Sequence, residues 1–148
     1  EVDYEHTLTL RTSLIGREIE TSHGLIEWFL SHEGGVVNGY TRAIFSGLTT
    51  NALSVIIATI IKDYPQMRGV WHVASKPISK YDLLNLVKTA YNLNIVIQPD
   101  DSVVIDRSLN GSRLLRNTNI IIPSWQTMIE QMHQDPTPYA AMRSKNAN

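Results

Sequence analysis

Two arginines, Arg42 and Arg107, carry the most informative chemistry in this sequence. Arg42 lies in GYTRAIF and Arg107 in IDRSLNGSR, so each stands next to a strand-like segment beside a turn. A guanidinium group presents its N–H donors as a planar fork that matches a phosphate group. The two side chains could therefore pair with a diphosphate. The alternative is that both are solvated surface arginines, and spacing alone favours this alternative for each of them.

The stretch LTLRTSLIG, residues 8–16, places polar side chains directly after a predicted strand. Alternating leucine and threonine favour a β-strand at its start. Thr12 and Ser13 follow, and Gly16 ends the stretch. Ligands of open α/β sheets gather beyond the carboxyl ends of the strands. If this strand belongs to such a sheet, Thr12 and Ser13 lie where a bound molecule would be met.

Other kinds of site find little support in the residue types and their spacing. The five histidines show no metal-ligand spacing and the chain has no cysteine, so no metal site is predicted. The sequence contains no P-loop, nucleophile elbow or GxGxxG motif, and none of its glycines is expected to cradle a dinucleotide. Asn110-Gly111-Ser112 matches a glycosylation sequon, and we interpret it as a tight turn because the sequence shows no secretion signal.

The composition limits both the size of the fold and its partners. With 148 residues, 43% of them hydrophobic, the chain can bury one ordinary globular core. A formal net charge of −1 leaves no basic excess for nucleic acid. The longest apolar run, residues 55–61, is far shorter than the roughly 20 residues of a membrane helix, so no membrane partner is expected. The lack of cysteine fits a reducing compartment, and we expect a cytoplasmic protein.

Helix and strand patterns alternate along the chain, which indicates an α/β fold. Helices are predicted where apolar residues recur at helical spacing behind a Ser or Thr cap: over 23–32 behind Ser22, over about 51–62 behind Thr49 or Thr50, from Ser79, and from Ser124. Further short strands are predicted over 35–40, 69–75, 94–99 and 102–106. Residues 134–148 are predicted to be a disordered tail.

Taken in order, several blocks of this sequence resemble one known family. They are LTLRTSLIG, GYTRAIFSGLTTNALSVIIATII, GVWHVASKPISKYDLLNLV, IDRSLNGSR and IIPSWQTMIEQM. Together they are similar to the C-terminal part of extended short-chain dehydrogenases/reductases that act on nucleotide sugars, in particular the dTDP-4-dehydrorhamnose reductases. The resemblance covers residues 7–133 and rests on the order and spacing of the blocks.

This resemblance implies a fold and a set of site residues. Residues 1–133 would form the last strands of a Rossmann-type sheet and a small mixed α/β substrate-binding lobe, without the N-terminal dinucleotide-binding half. Thr12, Ser13 and Leu14 would line the junction between the nicotinamide of the cofactor and the sugar. Arg42 and Arg107 would bind the diphosphate of a nucleotide-diphosphate sugar. The cofactor would be NAD(P), held by the complete parent protein and not bound tightly by this chain alone.

The sequence departs from this family in the residues that carry out its chemistry. The glycine-rich loop, the ribose-reading residue and the Tyr-x-x-x-Lys pair all precede the matched region, and none occurs here. Tyr40, Tyr81 and Tyr91 have no lysine four residues later, so no catalytic residue is predicted in this chain. Because the sequence opens on Glu1 and lacks these motifs, we interpret it as a piece of a longer protein.

Two hypotheses of different classes follow. In the first, the chain is the substrate-binding part of an NAD(P)-dependent oxidoreductase that reduces a 4-keto nucleotide sugar in cell-surface polysaccharide synthesis. The missing N-terminal half is then its partner, and an epimerase or dehydratase parent is a variant of the same idea. In the second, the chain is a non-catalytic module for nucleotide-sugar binding or assembly. In either case, exposed strand edges favour association between copies.

Overall fold

The computed structural model describes residues 6–146 as a mixed α/β fold. Its nine strands, labelled in chain order, are β1 Leu8–Arg11, β2 Leu14–Ile15, β3 Val36–Tyr40, β4 Ala43–Phe45, β5 Leu48–Thr49, β6 Gly69–His72, β7 Ile78–Ser79, β8 Val96–Asp100 and β9 Ile105–Arg107. Its six helices are α1 Leu25–Leu30, α2 Thr50–Asp63, α3 Lys80–Ala90, α4 Ser112–Asn117, α5 Trp125–His133 and α6 Tyr139–Asn146.

The strands form four small sheets. Three of them are parallel pairs that join distant parts of the chain: β1 with β6, β2 with β5, and β3 with β8. The fourth has the order β7, β4, β9, with β4 antiparallel to β7 and parallel to β9. Parallel pairing brings the carboxyl ends of paired strands to one edge. The loops that leave β1 and β6 therefore start side by side.

Side-chain caps fix the starts of the three long helices. The hydroxyl oxygen of Thr49 accepts a hydrogen bond from the backbone N–H of Ala52 at the start of α2. Ser79 caps α3 and Ser124 caps α5 in the same way. Such a cap satisfies one of the unpaired N–H groups in the first turn and contributes about 1 kcal/mol. The caps predicted at Ser79 and Ser124 are confirmed, and Thr49 rather than Thr50 caps α2.

Helix α1 differs from its prediction in its starting point. It begins at Leu25 with Gly24 as its N-cap residue, and Ser22 is not its cap. The carboxylate of Glu18 accepts hydrogen bonds from the Thr21 hydroxyl and from the backbone N–H of His23. These bonds hold the preceding residues as a loop, so the helix starts later than its apolar spacing predicts.

A single core joins the three long helices to the strands. Aliphatic and methionine side chains from α2, α3 and α5 pack with Phe29 and with the inner faces of the short strands. The largest fully buried side chains include Ile26, Phe29, Leu48, Leu83, Leu84, Leu114, Met128, Ile129 and Met132. Within residues 6–146, no helix is both long and apolar enough to span a lipid bilayer.

The segment after α5 contacts distant residues of the chain, and the disordered tail expected over residues 134–148 stays a prediction. The carboxylate of Asp135 accepts hydrogen bonds from Asn51 at the start of α2 and from the Tyr139 hydroxyl. Farther along α6, Arg143 forms an ion pair with Glu27, with 3.0 Å between Nη1 and Oε1. These partners lie far away in the sequence, so local composition did not reveal them. The predicted division at residue 133 stays a prediction.

Candidate functional site

The loop after β1 is tied to the connection between β4 and β5. The carbonyl oxygen of Ser13 accepts a hydrogen bond from the Leu48 N–H at 2.9 Å and another from the Thr12 hydroxyl at 3.2 Å. Gly47 makes this approach possible, because a Cβ atom there would lie 2.6 Å from the Ser13 oxygen. The polar residues predicted to follow the first strand are therefore held at the carboxyl edge of β1.

The same connection is tied to the loop that follows β6. The Ser75 hydroxyl donates a hydrogen bond to the carbonyl oxygen of Gly47 at 2.6 Å, and the Ser75 N–H donates to the carbonyl oxygen of Ser46 at 3.0 Å. The Ser46 hydroxyl in turn accepts a hydrogen bond from the Leu109 N–H at 2.7 Å. Ser75 is buried, so these bonds form in a region shielded from water. Four chain segments thus meet at one place.

A cleft of about 920 Å³ opens beside this junction. It lies between the loop after β6, the loop that leads into α4, and the segment that joins α4 to α5. Its lining is Ala74, Ser75, Lys76, Pro77, Ser108, Leu109, Asn110, Gly111, Ser112, Leu115, Ile120, Ile121, Ile122, Pro123, Ser124 and Trp125. We refer to this space as the cleft.

The cleft has an apolar wall and a polar rim. Leu115 and Ile121 lie on the wall and are largely exposed, Ile121 to 84%, while the indole N–H of Trp125 donates a hydrogen bond to the Lys76 carbonyl oxygen at 2.8 Å. Serine hydroxyls and Asn110 supply the rim, and among the described lining residues Lys76 has a charged side chain. A ligand with a flat apolar part and several hydrogen-bonding groups matches this surface.

A pair of cations borders the cleft on the sheet formed by β7, β4 and β9. Phe45, on the central strand, is registered opposite Arg107 on one side and Ile78 on the other. Registered side chains share a face of the sheet, so Arg107 and Phe45 lie on the same face of this sheet. Lys80 follows Ile78 by two residues, and its Nζ atom lies 4.3 Å from the centroid of that ring. We call Lys80, Arg107 and the Phe45 ring the cationic face.

Within residues 6–146, neither cation of the cationic face forms an ion pair with a carboxylate. Burial, and then the positive charge of Arg107, lower the pKa of the Lys80 amine. The two ion pairs recorded among residues 6–146 both involve Glu27 and neither of these cations. Asp106 precedes Arg107, but strand alternation turns it to the opposite face, where it accepts a hydrogen bond from the Ser108 N–H.

The cationic face adjoins the cleft through two residues that line the cleft. Ser108, the residue after Arg107, lines the cleft. The ring of Trp125, which also lines the cleft, lies 5.3 Å from the Phe45 ring, measured between centroids. A ligand in the cleft could therefore extend an anionic group toward Lys80 and Arg107.

The five residues predicted to form the site are only partly brought together. The Ser13 carbonyl oxygen accepts a hydrogen bond from Leu48, whose neighbour Gly47 accepts one from the cleft residue Ser75, and the Thr12 hydroxyl donates to the Ser13 carbonyl oxygen. Leu14 starts β2 and is half exposed. Arg107 borders the cleft through Ser108.

Arg42 lies apart from this group, directly before β4. Its carbonyl oxygen accepts a hydrogen bond from the Ile105 N–H at 3.1 Å. It precedes Phe45 by three residues, which is about 10 Å along a strand, whereas Phe45 is registered with Arg107. The structure therefore does not bring the two predicted arginines together at one end of the sheet.

Lys80 is the functional candidate that sequence analysis missed. One signal was present, because Lys80 directly follows the Ser79 cap and so occupies the first turn of α3. The first turn of a helix is the positive end of its dipole and favours acidic residues. A lysine at that position is unfavourable unless another group compensates its charge.

A second polar cluster fastens the C-terminal segment to the core. The buried carboxylate of Glu27 accepts hydrogen bonds from Arg17 Nε at 2.6 Å and from the Glu18 N–H at 3.1 Å. It also pairs with Arg143, while the Arg17 guanidinium lies 5.0 Å from the centroid of the Tyr139 ring. This cluster lies among residues that do not line the cleft, and its contacts are those of a structural anchor.

Comparisons with known proteins give structural matches. No family model matches the chain, and no curated protein matches it in sequence. A dTDP-4-dehydrorhamnose reductase from Bacillus anthracis, solved with NADP, superposes with a TM-score of 0.77 at 16% identity, over 90% of this chain and 50% of that one.

Two further structures extend the likeness. A hypothetical dTDP-4-dehydrorhamnose reductase from Sulfolobus tokodaii gives a TM-score of 0.64 at 22% identity, over 80% of this chain and 44% of that one. A UDP-glucose 4-epimerase from Thermus thermophilus, solved with NAD, gives a TM-score of 0.63 at 15% identity, over 85% of this chain and 45% of that one. The chain thus spans about half the length of these proteins. Its mixed α/β fold is consistent with a C-terminal portion of theirs, as the sequence predicts.

Proposed function

We propose, from the fold that this chain shares with dTDP-4-dehydrorhamnose reductases, that it is the substrate-binding C-terminal part of an NAD(P)-dependent nucleotide-sugar reductase. The parent would reduce a 4-keto sugar of the dTDP-4-dehydrorhamnose type, in the cytoplasm, for cell-surface polysaccharide synthesis. One observation carries the proposal. A cleft with an apolar wall and a polar rim opens at the carboxyl edge of β1 and β6 and adjoins the cationic face.

Each part of the cleft would recognise a different part of a nucleotide sugar. The apolar wall, with Ile121 and Trp125, would pack against the base, and the serine hydroxyls would bond to sugar oxygens. Arg107 would bind the diphosphate through charge-assisted hydrogen bonds. Arg42 remains a second candidate for the same group, although it must reach along β4 to contribute.

We expect that the residues of this chain do not form a dinucleotide site by themselves. The sequence has neither a glycine-rich phosphate loop nor a Tyr-x-x-x-Lys pair, so NAD(P) and the proton donor would belong to the N-terminal half of the parent. Thr12, Ser13 and Leu14 would meet the cofactor where that half joins this one. We therefore expect the isolated chain to bind a nucleotide sugar but not to oxidise NAD(P)H.

The test is a titration of the isotope-labelled chain, followed by the amide NMR signals of its residues. A nucleoside-diphosphate sugar with dTDP, UDP or GDP as its carrier should shift the signals of Ser75, Ser108 and Ser112, which line the cleft. Signals from the far end of α3, such as that of Lys88, serve as the internal control. Addition of NADPH should leave both groups unchanged. If no nucleotide sugar at millimolar concentration moves the cleft signals, the proposal is wrong.

Two alternatives share the same cleft. The likeness to a UDP-glucose 4-epimerase favours an epimerase or dehydratase parent as a second candidate, and a non-catalytic nucleotide-sugar-binding or assembly module is a third. The full reading frame distinguishes them. A Tyr-x-x-x-Lys pair upstream of Glu1 supports an enzyme, whereas an upstream region without that pair supports the module.

A further inference from the structure

We propose that Lys80 and Arg107 together form a two-cation cradle for the phosphate groups of a diphosphate ligand, with Lys80 as the residue that makes the site select ligands of high negative charge. The inference rests on the proposed function. It adds Lys80 to the proposed site and a preference for ligands of high negative charge. It stands on the register of β7, β4 and β9 and on the contact of Lys80 with Phe45.

The position of Lys80 is fixed by its surroundings. The residue begins α3 directly after the Ser79 cap, so the backbone direction at that point is set by the helix. Its side chain lies across the buried Phe45 ring, with Nζ 4.3 Å from the ring centroid. A cation above an aromatic face is attracted by the negative charge density of the ring. The ammonium group is therefore held in place instead of extending into solvent.

Three effects make this position costly for a positive charge. Lys80 is half-buried, it lies at the positive end of the α3 dipole, and the positive charge of Arg107 acts on it. The lowered pKa of its amine reflects the first and third of these effects. Asp82 lies in the same first turn of α3 and accepts a hydrogen bond from the Ser79 hydroxyl, and within residues 6–146 no ion pair joins Lys80 to an Asp or Glu. A bound polyanion between the two cations would compensate all three effects.

The cradle discriminates between anions by charge. Two cations and a helix N-terminus attract a diphosphate with several negative charges more strongly than a monovalent anion. A lysine contributes a point charge and an arginine a planar fork, so Lys80 would set the required charge and Arg107 the orientation. A neutral residue at position 80 should weaken the binding of pyrophosphate and leave weak monovalent anions unaffected.

The experiment measures how inorganic pyrophosphate changes the melting temperature and the binding isotherm of the 148-residue chain. In Lys80→Met the side chain keeps its contact with Phe45 but loses its charge. We expect the affinity for pyrophosphate to fall about tenfold or more, while the melting temperature without anion stays equal or rises. Lys80→Arg should bind within about threefold of the wild type. A purely structural lysine would instead lower the melting temperature and leave affinity unchanged.

Lys88→Met is the matched control, since it removes the same charge from the other end of α3; it should bind pyrophosphate like the wild type. Sodium acetate at equal ionic strength controls for general salt effects. If Lys80→Met does not fold, the Lys80 side-chain NMR signals of the wild-type chain give the answer. Pyrophosphate should raise the pKa of the Lys80 amine and leave that of Lys88 unchanged.

The outcomes separate this inference from the proposed function. Equal affinity of pyrophosphate for the wild type and Lys80→Met, or an unmoved Lys80 signal, overturns the cradle even if nucleotide sugars bind. Binding of pyrophosphate through Lys80 without binding of any nucleotide sugar supports the cradle and overturns the proposed function.

Discussion

At the scale of single residues, Arg107 and Arg42 differ in what surrounds them. Arg107 shares a face with Phe45 and precedes a cleft residue, whereas Arg42 lies directly before β4. We expect Arg107→Ala to weaken nucleotide-sugar binding by about 10- to 100-fold, because a charge-assisted hydrogen bond contributes roughly 1.5–3 kcal/mol. Arg107→Lys should fall between the alanine variant and the wild type. Titration calorimetry with a nucleoside-diphosphate sugar measures these affinities.

Arg42→Ala is the comparison for that experiment and should weaken binding less than Arg107→Ala. Thermal unfolding of each variant separates a binding role from a structural one. Unchanged affinity in Arg107→Ala would remove the assignment of the diphosphate to this arginine.

Glu27 gives a residue-level prediction about pH. Burial raises the pKa of this carboxyl group, but hydrogen bonds from Arg17 and from the Glu18 N–H, together with the Arg17 charge, outweigh it and hold the pKa below the ordinary value of 4.5. Because the folded-state pKa is the lower one, the stabilisation is complete above about pH 4.5 and is lost as the pH falls through the folded-state pKa.

Replacing Glu27 should therefore cost most at neutral pH. We expect Glu27→Gln to lower the free energy of unfolding by about 1.5–3 kcal/mol at pH 7, since it leaves two partly buried guanidinium groups without their carboxylate partner. The difference from the wild type should shrink steadily below pH 4.5. Urea unfolding between pH 7 and pH 3 measures both effects, with the exposed Glu20→Gln as control. A difference of the same size at both ends of this range would contradict the assignment.

At the scale of secondary-structure elements, Gly47 controls how closely the loops after β1 and β4 approach. A Cβ atom at this position would lie 2.6 Å from the Ser13 carbonyl oxygen, a backbone atom that cannot rotate away. We expect Gly47→Ala to destabilise the fold by about 1–3 kcal/mol. The Leu48 amide, which donates to that oxygen, should exchange its hydrogen faster.

Gly16→Ala is the matched comparison for Gly47→Ala. The nearest atoms to its new methyl group belong to the Thr50 side chain, which can rotate, so this change should cost less. Hydrogen exchange followed by mass spectrometry, with urea unfolding, separates the two variants. Equal protection of Leu48 in Gly47→Ala and the wild type would show that the loop has room to move.

The elements also show what a sequence can predict. The three long helices are predicted because their apolar spacing and their Thr or Ser caps act locally. Strands β2, β5 and β7 have two residues each, too few to show the alternation by which strands are recognised. Their pairing depends on partners far along the chain.

The candidate site likewise has one part that local sequence predicts and one part that depends on residues far apart in the chain. The polar residues after β1 are predictable because a strand followed by hydroxyl side chains is a local pattern. The surroundings of Lys80 are not predictable from the sequence, because they depend on the register between β7, β4 and β9. Only the three-dimensional arrangement brings Lys80 over the Phe45 ring and near Arg107.

At the scale of the whole molecule, exposed apolar side chains favour association between copies. Val36 and Val96 are registered partners on β3 and β8, and each is more than half exposed. Because β3 and β8 form a two-stranded sheet, both are edge strands open to pairing. We expect sedimentation velocity to show a species that grows with concentration, and Val96→Lys to reduce it.

Val55→Lys, on the exposed side of α2, distinguishes contact through the helix from pairing of strand edges. If it reduces association more than Val96→Lys does, the helix face is the main contact. A strictly monomeric wild-type chain at high concentration would contradict the prediction.

The contact of Trp125 with Lys76 and Phe45 gives the molecule an optical reporter. Trp125 lines the cleft, and its indole N–H is committed to the Lys76 carbonyl oxygen. Of the other two tryptophans, Trp28 lies on α1 next to His32, and Trp71 lies under the Arg113 guanidinium. With those two replaced by phenylalanine, the remaining emission comes from the cleft alone. Occupancy of the cleft can then be followed as the wavelength and intensity of one fluorophore, without labelling any ligand.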